Sequence, residues 1–253
     1  MRTLKITLEY DGTDFVGWQR QAEGVSVQGL LEDAVAALEG APVTVHGAGR
    51  TDAGVHALGQ VASVSLTADH SGATMQRALN AVLPAAVRVL EVVEEAPEFH
   101  ARFSAAGKVY EYRIVNAPFV SPFVHRYAWH VPMSLDVAAM QEAASVLTGT
   151  HDFAAFQGTG SVVSSTTRTI HRVVWEPGGG HDRPLVIRIE GNGFLRHMVR
   201  TITGTLVEVG VGRWAPSRMK DIMASRDRGQ AGPTAPAAGL FLVRVQYPVE
   251  RAG

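Results

Sequence analysis

The residues best suited to chemistry lie in a glycine-rich stretch, GAGRTDAG at 47–54, which places Arg50 and Asp52 two positions apart. The stretch follows apolar residues 43–45, where a phosphate-binding loop would follow a strand. However, the dinucleotide fingerprint G-x-G-x-x-G requires a glycine where Asp52 stands, and the Gly-Lys-Ser/Thr of a Walker loop is absent. A carboxylate would also repel a phosphate. The glycines therefore serve the backbone, since they allow positive φ and close approach of a partner.

The residue types alone allow three interpretations of Asp52. It is a turn residue that bonds its own backbone, a structural ion-pair partner of Arg50, or a catalytic carboxylate. The frequency of aspartate in turns favours the first interpretation. The residue types leave all three open.

Composition narrows the class of protein. The chain has 253 residues, a net charge of −1 and no cysteine, which excludes disulfides, thiolate nucleophiles and cysteine metal sites. The ten histidines form no HExxH motif and no pair at zinc spacing with a third ligand nearby, so we expect no catalytic metal. No apolar run approaches the ~20 residues that span a bilayer, which predicts a soluble, cytoplasmic protein with no membrane association.

Hydrophobic periodicity predicts the same order of elements, βαββαβ, in both halves of the chain. In the first half, strands are predicted at 4–10, 43–46, 60–66 and 87–93, and helices at 27–38 and 73–83. In the second half, strands are predicted at 108–115, 167–175, 185–190 and 240–247, and helices at 135–147, 195–209 and 216–225. Ser134 is the predicted N-cap of the helix at 135–147.

This order predicts an α+β protein. Each half is expected to form a split-βαβ unit of the RRM or ferredoxin-like type, with an antiparallel sheet and helices on one face. The two sheets are expected to lie side by side, with the functional groups in a central cleft. We place the boundary between residues 105 and 106, giving halves 1–105 and 106–253.

Five groups of motifs point to one family. The stretch GRTDAGVHA at 49–57 resembles the catalytic signature of the tRNA pseudouridine synthase A family. Further segments resemble its other motifs in the same order: YDG at 10–12 with GWQRQ at 17–21, FHARFSA at 99–105 with YEY at 110–112, NGFLRHMVR at 192–200, and AGLFL at 238–242 with YP at 247–248. The resemblance covers almost the whole chain.

The resemblance implies isomerisation of uridine to pseudouridine at positions 38, 39 and 40 of the tRNA anticodon stem-loop. The bond from N1 of uracil to the ribose breaks, the base turns over, and C5 joins the same ribose carbon. The reaction involves neither redox change nor hydrolysis, so no cofactor is expected. The family also implies a homodimer, with the tRNA lying across both subunits.

The resemblance further implies roles for single residues. Asp52 is the essential carboxylate, and Arg200, the last arginine of NGFLRHMVR, is its cationic partner. Arg50 assists the flipping of the target nucleotide out of its helix, which costs a few kcal/mol. Tyr110 stacks on the uracil, and Leu240 completes the substrate-binding residues.

Further residues are expected to support these or to contact RNA. Arg196 and Arg200 are predicted to share a helical face, and Tyr112 is predicted to support Tyr110. The candidates for RNA contact are Trp18, Gln19, Arg20, Phe99, His100, Arg102 and Arg168. The polar stretch 157–168 is predicted to be a mobile loop that closes over RNA.

Three rival functions remain open. The first is a non-catalytic RNA-binding module, which would keep the fold and the loop but not the carboxylate; the presence of Asp52 speaks against it. The second is a nucleotide-dependent oxidoreductase that uses the glycine loop; the incomplete G-x-G-x-x-G fingerprint speaks against it. The third is a pseudouridine synthase with a different RNA target.

Overall fold

The structure is a computed structural model that describes residues 1–160 and 163–248. The chain divides into two compact units, which we call unit 1 and unit 2. Unit 1 comprises Met1–Lys108 and the described residues from Phe241 to Pro248, and unit 2 comprises Val109–Leu240. The contiguous division at 105/106 expected from the sequence differs from this arrangement, because the chain returns to unit 1 at its last strand.

Unit 1 contains a sheet in the strand order β4-β1-β3-β10, with β2 paired to β3. Its elements are β1 (Arg2–Tyr10), α1 (Val27–Glu39), β2 (His46–Gly47), β3 (His56–Leu66), α2 (Gly72–Val82), β4 (Val87–Glu95) and the returning strand, which keeps its place in chain order as β10 (Leu240–Gln246). β1 runs antiparallel to β3 and β4, and β10 runs parallel to β3, with Phe241 opposite His56.

Alternating burial along β1 builds the core of unit 1. Leu4, Ile6 and Leu8 are completely buried, as the alternation of apolar and polar residues predicts. Helix α1 begins after Ser26, whose hydroxyl accepts a hydrogen bond from Gly29 N, and it ends at Gly40 in the left-handed conformation. The helix predicted at 27–38 from apolar spacing and from Gly40 is thereby confirmed.

Unit 2 contains the strand order β5-β9-β8-β7, with β6 parallel to β5. Its elements are β5 (Gly107–Val115), β6 (Trp129–His130), α3 (Val137–Ala144), β7 (Gly149–Asp152), β8 (Thr167–Glu176), β9 (Leu185–Gly191), α4 (Met198–Gly210) and α5 (Arg218–Ser225). The mixed α+β class predicted from the sequence is confirmed. β7 was not predicted, because its 4 residues are too few for a periodic pattern to reveal.

Two helix starts differ from the sequence predictions. Asp136, and not Ser134, caps α3 by accepting a hydrogen bond from Ala139 N. Helix α4 begins at Met198 because His197 has a left-handed backbone with φ of 62°. Arg196 therefore precedes the helix, and the prediction that Arg196 and Arg200 share a helical face is wrong.

In residues 1–160 and 163–248, no helix has the length and apolar character needed to cross a membrane.

Candidate active site

The Asp52 loop joins β2 to β3 in unit 1. Its backbone is held by hydrogen bonds within the loop and from side chains outside it. Within the loop, Val55 N donates to Asp52 O at 3.1 Å, which closes a tight turn. The Gln60 side chain donates through Nε2 to Gly49 O at 2.8 Å. Asp52 itself is half-buried, and Arg50 is exposed. The carboxylate thus stands on a fixed turn.

The segment from Gly12 to Trp18 lies against this loop at backbone distance. Trp18 N donates to Thr51 O at 3.1 Å. A Cβ on Gly17, whose φ is 109°, would lie 2.6 Å from Thr51 O, and a Cβ on Gly12 would lie 2.0 Å from Val55 O. Glycine is required at both positions because no side chain fits between the two backbones.

Trp18 supports the loop from the interior. Its side chain is 2% exposed, and a Cβ on Gly47 would lie 2.4 Å from its indole ring. The ring fills the space that Gly47 leaves, so it is not accessible to a base of RNA. We therefore correct the expected RNA contact of Trp18 to a structural role.

The neighbours of Trp18 are on the surface. Gln19 and Arg20 are both exposed. Arg20 already forms ion pairs with Glu32 and Asp33, which raise the pKa of its guanidinium, the Asp33 bond most of all. A phosphate at Arg20 has to compete with these carboxylates.

A buried hydroxyl pair connects β1 to the Asp52 loop. The Tyr10 hydroxyl lies 2.8 Å from Thr51 Oγ1, and Gln60 Nε2 approaches the same hydroxyl at 3.4 Å. Burial raises the pKa of Tyr10 to about 12, so the phenol stays protonated at neutral pH. The pair fixes the residue immediately before Asp52.

Substitution of Tyr10 by phenylalanine is expected to destabilise the loop by about 1–3 kcal/mol, because Thr51 Oγ1 loses its partner in a buried place. We expect a Tm lower by about 2–6 °C in calorimetry. A double-mutant cycle with Thr51→Val checks the cause: the second substitution should cost less in the Tyr10→Phe background than in the wild type. Fully additive costs would contradict the coupling.

His56 closes the far end of the loop. The ring is buried, with Nδ1 3.0 Å from Gly12 N and 3.1 Å from Asp11 Oδ1. It also stacks on Phe241 of β10, with ring centroids 4.6 Å apart. These contacts tie the YDG turn, the signature loop and the last strand together within unit 1.

Arg200 lies in the first turn of α4 in unit 2. Its Nε donates to Ala235 O at 2.8 Å, and Ala235 N donates to Arg200 O at 3.1 Å. The side chain is half-buried. This reciprocal pair fixes the direction of the guanidinium stem relative to the segment that precedes β10.

The two tyrosines of β5 have different environments. Tyr112 is completely buried and donates to Pro236 O at 2.7 Å; burial raises the pKa of its phenol strongly, and the charge of Arg200 opposes this only in part. The ring of Tyr110 is largely buried and meets Phe194 edge-on, with centroids 5.0 Å apart. Phe194 belongs to the NGFLRHMVR motif, so this motif and YEY meet at Tyr110. Leu240 is also buried.

The motifs around this site fall within the region that a known protein family matches. A family model described as tRNA pseudouridine synthase matches residues 6–104 and 143–248. The chain belongs to the tRNA pseudouridine synthase family. The enzyme class predicted from the sequence, an isomerase that acts on tRNA, is thereby confirmed.

Relatives from three bacteria, each named tRNA pseudouridine synthase A, match 98% of this chain. The relative from Paramagnetospirillum magneticum is 47% identical over 250 residues and is covered to 96%. Those from Solidesulfovibrio magneticus and Sinorhizobium fredii are 48% and 44% identical and are covered to 92% and 100%. Among solved structures, a chain of a Cbf5-Nop10-Gar1 complex aligns with a TM-score of 0.37 and 16% identity, over 81% of this chain and 45% of that one.

The NGFLRHMVR motif connects to the polar stretch 157–168. Gly158 N donates to Arg196 O at 2.8 Å, and Arg196 donates to Thr159 O at 3.1 Å. Arg168 donates to the carbonyls of Ser165 and Thr167. Residues 161–162 of the predicted loop lie outside the described residues.

Three of the predicted RNA contacts lie in the family motif FHARFSA of unit 1. Phe99 is half-buried against Tyr247, with ring centroids 5.1 Å apart. Arg102 and Phe103 are exposed, and His100 is half-buried. Phe103 was not among the residues predicted from the sequence to contact RNA, although an aromatic side chain beside an arginine is itself a signal of base contact.

Residues 1–160 and 163–248 contain no group of three or more His, Asp or Glu side chains arranged to hold a metal ion.

Proposed function

We propose that this enzyme converts uridine to pseudouridine at positions 38, 39 and 40 of the tRNA anticodon stem-loop, without a cofactor. The family signature around Asp52 carries the proposal, because that aspartate stands on a turn fixed by Gln60, Trp18 and Tyr10. A firmly held loop suits a group that must meet one ribose or one base in a defined geometry.

The target uridine is flipped out of its stack before any carboxylate reaches it. Arg50 is exposed and, within the described part of the chain, makes no hydrogen bond or ion pair, so its guanidinium is available to fill the vacated space. Tyr110 provides a ring for the extruded uracil, and stacking contributes ~1–3 kcal/mol per base, which offsets much of the flipping cost. Leu240 adds an apolar contact in this proposal.

Asp52 then assists cleavage of the bond between N1 and C1′. The carboxylate attacks the sugar, deprotonates it, or adds to the base and later leaves. The detached uracil turns over, C5 bonds to C1′, and the proton on C5 passes to solvent. We propose Arg200 as the cation that keeps the carboxylate ionised, since a nearby positive charge favours the charged form.

The RNA contacts in this proposal are Gln19, Arg20, Phe99, His100, Arg102 and Arg168. Trp18 is no longer among them, because its ring is buried. The proposal retains a homodimer that works in the cytoplasm, where a second copy would double the surface offered to tRNA. It also retains the split-βαβ arrangement, which the order β4-β1-β3 with β2 on β3 in unit 1 supports.

Release of tritium from tRNA labelled at C5 of uridine tests the proposal, since forming the C5–C1′ bond expels that hydrogen. We expect release with tRNA transcripts that carry uridine at 38, 39 or 40, and none when all three are cytidine. Release that persists from the cytidine transcript would identify a different RNA target. An absence of release from any tRNA, with binding retained, would favour the non-catalytic rival.

A further inference from the structure

Three aromatic rings, each tilted against the next, form a continuous row on unit 1, which we call the ring stack: His46, His100 and Phe103. The centroids of His46 and His100 are 4.8 Å apart, and those of His100 and Phe103 are 4.4 Å apart, with interplanar angles of 30° and 36°. The guanidinium of Arg102 lies over the Phe103 ring, 5.5 Å from its centroid. The stack therefore ends in an aromatic ring with a cation over it.

The turn that carries the stack is anchored to the sheet. Ala101 N donates to Ser63 Oγ at 3.0 Å, and the Tyr247 hydroxyl donates to Ala101 O at 2.7 Å. His46 lies opposite the same Ser63 in the β2–β3 pairing. The two segments that carry the rings, β2 and the turn at 100–103, are thus both held at Ser63 of β3. Little conformational freedom therefore remains to be lost when a ligand binds.

His100 is held as a flat neutral ring. Its Nδ1 accepts from Arg102 N at 3.1 Å and from Phe103 N at 3.4 Å, which places the ring proton on Nε2. Burial, with the nearby His46 and Arg102, lowers the pKa of this imidazole. The ring stays uncharged at neutral pH and packs against Phe103 as an aromatic surface.

The Phe103 ring is 76% exposed. A single exposed phenylalanine is ordinary on a protein surface. This one extends a fixed row of rings and has a guanidinium over it. The ring and the cation match the two parts of a nucleotide, a flat base and a phosphate. Arginine suits the phosphate because it presents a planar fork of donors.

We propose that the ring stack binds an unpaired base of the RNA substrate by stacking it on Phe103, while Arg102 moves from its place over the ring to contact an adjacent phosphate. This base is distinct from the uridine that is isomerised. The proposal rests on the proposed function for the nature of the ligand, but it concerns affinity and not the chemical step.

The first test measures binding of a fluorescently labelled tRNA transcript by anisotropy, with the full-length protein and its variants. We expect Phe103→Ala to weaken binding about tenfold, from the worth of one base stack, and Phe103→Trp to restore it. Phe123→Ala is the matched control, because Phe123 is 89% exposed and lies in unit 2. Its affinity should equal that of the wild type.

Salt dependence separates the stack from the phosphate contact. The slope of log Kd against log salt should stay unchanged in Phe103→Ala and fall by about one phosphate contact in Arg102→Ala. Photocrosslinking of tRNA containing 5-iodouridine should label the peptide that contains Phe103. Wild-type affinity of Phe103→Ala, or crosslinks that avoid this peptide, would overturn the proposal.

Failure of this inference and failure of the proposed function give different results. Loss of the ring stack raises the tRNA concentration needed for half-maximal tritium release while release still occurs, and an incorrect function leaves no release even where Phe103 binds RNA.

Discussion

Replacement of Asp52 by asparagine is expected to lower tritium release from tRNA by about a thousandfold or more. The amide keeps the shape of the side chain and its place on the turn, but it can neither attack nor accept a proton as a carboxylate does. The turn itself should survive, because the Asp52 atom that holds Val55 N is a backbone carbonyl. Single-turnover release from labelled tRNA measures the effect on chemistry.

The control for this substitution is Asp69→Asn. Asp69 is an almost fully exposed aspartate of unit 1 that pairs with Arg2, so its neutralisation should leave tritium release and Tm unchanged. Affinity for tRNA should be retained in Asp52→Asn, since the loss lies in the reaction. Wild-type release from that variant would remove the carboxylate from the mechanism, and the turn interpretation of Asp52 would then stand alone.

Elements with strong local periodicity were predictable from the sequence. β1 was expected at 4–10 and spans Arg2–Tyr10, because its buried face repeats every second residue through Leu4, Ile6 and Leu8. Helix α1 was expected at 27–38 and spans Val27–Glu39, since apolar spacing and Gly40 mark both its face and its end. These signals act over a few residues, which is the range that a sequence pattern records.

Contacts between distant residues were not predictable in the same way. The burial of Trp18 depends on Gly47, and the return of β10 to unit 1 depends on pairing between Phe241 and His56. An aromatic residue beside Gln19 and Arg20 looks the same in sequence whether its ring faces solvent or the interior. Nothing local distinguishes a motif residue that contacts substrate from one that supports the loop.

The start of α4 shows another kind of feature that could not be predicted from the sequence. Apolar spacing predicted a helix from residue 195, and no proline or glycine marks a later start. The break comes from His197, a non-glycine residue in the left-handed region, and its ring occupies space where a Cβ on Gly158 would lie 2.6 Å from Nδ1. Such strained residues persist where the surroundings hold them.

Substitution of Gly204 by alanine is expected to destabilise the protein by about 1–3 kcal/mol, opposite in sign to the usual effect of alanine in a helix. Removing a glycine from a helix interior normally gains about 0.5–1 kcal/mol. At Gly204 a Cβ would lie 1.8 Å from Pro233 O, so either the helix or the 233–235 backbone must shift. Overpacking of this kind exceeds the gain in helix propensity.

The same shift reaches Arg200, because the displaced segment carries the carbonyl of Ala235 that accepts its Nε. We therefore expect Gly204→Ala to lower Tm by several degrees and also to slow tritium release at temperatures where the protein remains folded. Gly193→Ala is the stability control, since its added Cβ meets nothing nearer than Arg168 Cδ at 3.7 Å. An unchanged Tm for Gly204→Ala, with release no slower than in the control, would contradict this prediction. The 233–235 segment would then move at no cost in stability, and its hydrogen bond to Arg200 would not affect the rate of catalysis.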